Sequence, residues 1–214
     1  MAVSRFWPGL ALVLPLLSVA ALVGLSCWPD SQNGPGLLVG LALMLGPAGA
    51  FATVALQPGW RRRYAADWVD TGCIFLLISF ALLTLMLCMQ QALLSAREAL
   101  ESGPTLEALS AAMQVGNLIQ LGADVAFDLF YSIGLGLLSA AAMLTAAKRK
   151  ERLLGLFGLL LACGLWLLNL LSFPLPPAQI GLVDLGPLSL LWWIAMALLD
   201  APEASPSSGQ PVVG

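Results

Sequence analysis

Thr71 to Leu94 reads TGCIFLLISFALLTLMLCMQQALL, a run with no charged side chain. A helix needs about 20 predominantly apolar residues to cross the hydrocarbon layer of a bilayer, and this run is long enough. Its flanks differ in sign. Before it stand Trp60, Arg61, Arg62, Arg63, Tyr64 and Trp68; after it stand Arg97, Glu98, Glu101 and Glu107. Basic residues next to a span favour the cytoplasmic side, and Trp and Tyr favour the headgroup layer. The run therefore reads as a transmembrane helix that leaves the cytoplasm at the arginine triplet.

Five further apolar runs lie outward from it, at about 10–27, 37–56, 117–147, 153–173 and 180–199. Trp7 and Trp28 bracket the first, as aromatic anchors at two interfaces would. That run is longer than a signal-peptide core of about 7–15 residues, so a retained helix is expected. Lys148, Arg149, Lys150 and Arg152 fill the loop between the fourth and fifth runs. With Arg5 and the triplet, eight of the nine basic residues fall on one side. Both termini and the two basic loops are expected in the cytoplasm, in a multi-pass protein of the plasma (inner) membrane.

Composition agrees. Apolar residues make up 59% of the 214, charged residues 10%, and mean hydropathy is +0.91. A soluble domain carries about 25% charge, so a water-soluble fold and a disordered chain are both excluded. Net charge is −3, which argues against nucleic acid as a partner. The absence of histidine excludes Ser-His-Asp and Cys-His nucleophile systems and His-ligated metals. No cofactor is expected. Cys27, Cys73, Cys88 and Cys163 are widely spaced and read as packing residues, with a Cys27–Cys88 disulfide left open.

The fold class predicted is all-α, a polytopic bundle of six transmembrane helices over residues 1–200. Residues 201–214 hold three prolines and three serines and are expected to be a disordered cytoplasmic tail. Ser102-Gly103-Pro104-Thr105 should break the chain, with Thr105 capping a short amphipathic helix that runs into the fourth span. Pro47 should kink the second helix. Small residues at Ala42, Gly46 and Ala50, at Gly134 and Gly136, and at Gly155 and Gly158 should let helices approach closely.

Intramembrane carboxylates are costly, so each is a functional hypothesis. In the fourth run Asn117, Gln120, Asp124 and Asp128 recur at steps of three, four and four, followed by Tyr131 and Ser132. Such steps place side chains on one helical face. Gln90, Gln91, Asn169 and Asp184 fall at a similar height. The candidate binding residues are therefore Asn117, Gln120, Asp124, Asp128, Asn169 and Asp184, with Asp124 and Asp128 the candidates for any metal. Two readings stay open for them: carboxylates solvated in the outer headgroup zone, or a cavity inside the bundle.

Gln120-x-x-x-Asp124-x-x-x-Asp128 resembles the first polar motif of membrane prenyltransferases, whose carboxylates hold magnesium on a diphosphate. Those enzymes have about nine helices, a second Asp cluster and a site open to the cytoplasm. This chain has six runs, Asp184 alone, and its pair on the outer side. The second half resembles a pool of uncharacterised bacterial six-helix membrane proteins. That resemblance is carried by Asp128-Leu-Phe, Gly134, Gly136, the basic turn before Leu154-Gly155, and Pro187 followed by Trp192-Trp193. It implies the architecture alone. The expected role is non-catalytic, binding a small molecule, lipid or partner membrane protein. A small ion-coupled transporter and a divalent-metal enzyme are the alternatives.

Overall fold

The computed structural model describes residues 3–26, 36–101, 106–173, 175 and 177–199. All regular structure among them is helical. Seven α-helices follow in order: α1 (Val3–Ser26), α2 (Gly36–Leu43), α3 (Leu45–Arg63), α4 (Ala66–Glu101), α5 (Leu106–Thr145), α6 (Arg149–Ser172) and α7 (Gly186–Leu199). A 3-10 turn, Pro177–Ile180, precedes α7. Three helices are long and apolar enough to cross a membrane, or four if α2 and α3 count as one bent span. Cys27, Trp28, the break at 102–105 and the tail at 201–214 lie outside the described residues.

Neighbouring helices pack in chain order from α3 to α6, with α1 against α2 and α3 and α7 against α6. The largest fully buried side chains are Trp60, Trp192, Trp193, Tyr131 and Phe80. Phe80 meets both Tyr131 and Trp193 edge to face, at 6.1 and 6.0 Å between ring centres. Such geometry suits the ring quadrupoles. Glycines set the closest crossings. A methyl group on Gly46 would lie 2.6 Å from the Phe80 carbonyl, and one on Gly134 2.9 Å from the Gly72 carbonyl.

The second apolar run is two helices bent by 44°, and the break falls at Met44 rather than at Pro47. Pro47 has no N–H, and its ring crowds the carbonyl four residues back, which is Leu43. The Met44 N–H is forked between Gly40 O at 3.3 Å and Leu41 O at 3.2 Å. The sixth run is helical only from Gly186, leaving 14 residues or about 21 Å of helix. Pro187 suits a first turn but stops a helix from continuing back through Val183. Gly181 makes the reversal with φ +77°.

α5 is one 40-residue rod, so the expected surface helix and the fourth span are continuous. Its exposed face is mostly apolar, with Val115, Leu118, Ile119, Ile133 and Leu144, and Gln114 and Asn117 are the polar exceptions near its start. Its inward face carries Asp124, Asp128 and Tyr131. A helix wetted on its outside has the opposite polarity.

The basic turns gather at one end. There Gln57 Nε2 donates to Asp70 Oδ1 at 2.8 Å, and Arg61 Nε pairs with the same oxygen at 3.3 Å. Arg63 Nη1 donates to the Leu199 carbonyl at 2.7 Å and lies 3.9 Å from the buried Glu151. One guanidinium thus links α3, α6 and the last residue of α7.

Candidate functional site

The inward face of α5 is a polar ladder, and each rung finds a different surrounding. Asp124 and Asp128 line a cavity of about 190 Å³ at the end of the bundle opposite the basic turns. Asp184, from the irregular stretch before α7, lines the same cavity. Leu22, Leu45, Leu83 and Phe127 form its apolar walls, and Pro177, Gly186, Pro187 and Leu190 complete it. Six separate stretches of chain therefore meet here, and none of the described residues in the wall is a lysine or arginine.

Asp128 is the deepest of the three, 8% exposed. Asn169 on α6 stands beside it, and its Nδ2 donates to Asp128 Oδ2 at 3.0 Å and to the Leu165 carbonyl at 3.0 Å. The Asn169 amide oxygen, Oδ1, is buried without a hydrogen-bond partner. An unsatisfied buried acceptor costs about 1–3 kcal/mol, a cost borne where a fixed donor is aimed at Asp128. One turn below, Tyr131 donates its hydroxyl to the Ser189 carbonyl at 3.1 Å, which fixes α5 against α7. Ser79 ties α4 to α5 with a bond to the Phe127 carbonyl at 3.2 Å.

Asp184 has a local role as well. Its Oδ1 accepts from the Gly186 N–H at 2.8 Å, at the start of α7. The partial positive charge of a helix N-terminus favours a carboxylate there. Asp184 is the most exposed of the three carboxylates, so the cavity is open on its side.

Asn117 and Gln120 do not join this cluster. With Gln90, Leu93, Leu94 and Met113 they line a separate cavity of about 310 Å³ between α4 and α5. Gln120 and Asp124 are neighbours on α5, one turn apart, so the two cavities succeed each other along one helix face. Among the described residues, no three His, Cys, Asp or Glu side chains gather as a metal-binding set.

Glu151 is not singled out by sequence, because it stands inside the basic run Lys148–Arg152. It is 5% exposed. Its register held the signal: Glu151, Gly155, Gly158, Ala162, Leu165 and Asn169 follow at helical steps and are all buried. No protein family, curated protein or solved structure matches this chain.

Proposed function

We propose that the chain is a six-span integral membrane protein with both termini and the basic turns in the cytoplasm, and that it binds a small cation in the cavity of Asp124, Asp128 and Asp184. The bent α2–α3 pair serves as one span. The irregular residues 181–185 complete the last. The binding is non-catalytic.

One observation carries the reading: three carboxylates from two separated stretches of chain line a single cavity with no basic side chain in its wall. Like charges so enclosed repel, and a cation relieves that repulsion. The size limits the ligand. About 190 Å³ is below the 300–1,000 Å³ of a drug-sized pocket and holds about six waters at ~30 Å³ each. A small alkylammonium or a monovalent ion with part of its hydration shell suits it, and the Phe127 ring adds a face that attracts cations.

The test is thermal unfolding of the purified chain in detergent at constant ionic strength. Methylammonium or sodium is expected to raise the midpoint over the large control cation N-methyl-glucamine. The double variant D124N/D128N is expected to lose that response. A double variant that responds like the parent refutes the reading.

A second reading, an ion-coupled carrier, draws support from the irregular backbone at Leu182–Leu185 beside the carboxylates. Broken helices at ion sites are common in carriers. Counter-ion uptake into proteoliposomes, abolished by D128N, would favour it over simple binding.

A further inference from the structure

A cavity larger than the acidic one lies away from it. It is a groove of about 620 Å³ between α5 and α6, open along the outside of the bundle. Its floor is small, with Gly136, Ala140 and Ala162, and its walls are Ile133, Leu137, Leu159, Cys163, Trp166 and Leu167. Trp68 closes it towards the basic end. The start of α4 sits beside the end of α5 there, since the Ala65 N–H donates to Thr145 Oγ1 at 3.3 Å.

Charge completes the groove. Arg152, Leu156, Leu159, Cys163 and Trp166 follow at steps of four, three, four and three, which puts Arg152 on the groove's own line of α6. Arg152 is held in place: its Nε donates to the Ala146 carbonyl at 2.7 Å, across the α5–α6 turn. Arg149, exposed and one turn before it, lies on the same side of α6. The groove is thus apolar apart from Ser132, and the two arginines stand just beyond its Trp68 end.

We propose that this groove binds one anionic phospholipid of the leaflet on the basic side, with its phosphate at Arg152 and Arg149 and an acyl chain between α5 and α6. The lengths agree. Arg152 to Leu167 is about 22 Å along α6 at 1.5 Å per residue. One leaflet with its headgroups is half of about 40–45 Å. A second copy of the chain is a poorer occupant. All copies share one orientation in the membrane, so a two-fold dimer through this groove would set one basic turn beside another. The proposal rests on the membrane reading above but not on the cation cavity, and its test leaves that cavity untouched.

Cys163 in the groove and Cys88 on α4 are both exposed free thiols, so the native chain carries its own probe and control. The full-length protein in maltoside micelles is alkylated with a lipid-soluble maleimide, and each cysteine is followed by peptide mass spectrometry. Dioleoyl phosphatidylglycerol at ten times its half-saturating level is expected to slow Cys163 about tenfold, as occupancy requires, and to leave Cys88 unchanged. Dioleoyl phosphatidylcholine is expected to protect Cys163 far less. The variant R149Q keeps the Arg152 bond to Ala146, and it should need several-fold more phosphatidylglycerol for the same protection. Equal slowing of both cysteines, equal protection by both lipids, no protection, or protection indifferent to R149Q each overturns the proposal.

Discussion

Replacing Gly155 with alanine puts a methyl group where α5 already stands. The new carbon would lie 2.6 Å from the Met143 nitrogen and 2.7 Å from the Ser139 carbonyl oxygen. Both are backbone atoms, so no side chain can swing aside. Favourable contact needs about 3.5 Å, so α6 must retreat by about 0.9 Å at this point. Overpacking of this kind costs about 1–3 kcal/mol, while the gain in helix propensity from Gly to Ala is about 1 kcal/mol. The net expectation is a loss of about 1 kcal/mol, reaching 2 where the helices cannot part. Gly136 supplies the control on the same helix pair. A methyl there meets only the Ala162 Cβ, at 3.5 Å, an ordinary contact. G136A is therefore expected to hold or raise stability by up to about 1 kcal/mol. Unfolding by dodecyl sulfate in mixed micelles, followed by circular dichroism, measures both. G155A as stable as the parent, or G136A falling as far as G155A, would refute the packing described.

Other expectations follow from the basic end and the topology. Removing the guanidinium in R63A leaves Glu151 buried with its carboxylate uncompensated, and stability should fall by about 2 kcal/mol after allowance for the partial exposure of Arg63. The double variant R63A/E151Q should recover part of that loss, which unfolding titrations would register. Cysteines placed in the Arg61–Arg63 turn and at Glu101, in a background without native cysteines, should react oppositely with an impermeant reagent on intact cells. Labelling at the triplet alone would reverse the orientation. Truncation after Asp200 should leave the melting temperature unchanged; a fall of several degrees would mean that the tail docks on the bundle.

Much of the architecture was legible because lipid leaves a plain mark on sequence. Each of the six apolar runs contains helix, and the steps of three, four and four from Asn117 through Gln120 and Asp124 to Asp128 all fall within α5. The division of that ladder between two cavities was not legible. It depends on where Gln90 and Asp184 arrive from other parts of the chain. The break at Met44 was misplaced by three residues, because a proline disturbs the carbonyl behind it more than its own position. The shortness of α7 was hidden by residues 180–185, which are apolar enough to read as helix although Pro187 and Gly181 forbid it. Gly72 went unnoticed as the partner of Gly134, since a close crossing needs a small residue on both helices and sequence shows only one at a time. The α5–α6 groove left no trace in one-dimensional pattern.

The apolar face of α5 bears on the bilayer around the protein. From Val115 to Leu144 the exposed apolar positions of α5 span about 44 Å, whereas the exposed leucines of α7 itself, Leu188 to Leu198, cover only about 15 Å before the chain turns irregular at the exposed Leu182 and Val183. A bilayer offers the same hydrocarbon thickness, about 30 Å, to both flanks. The long flank must tilt or draw lipid up around itself, and the short flank must pull it thin. Each ångström of mismatch costs a fraction of a kcal/mol. The molecule is therefore a wedge towards its solvent. It should partition into membrane regions where thickness changes over the width of one protein, and its flanks should attract lipids of different chain length.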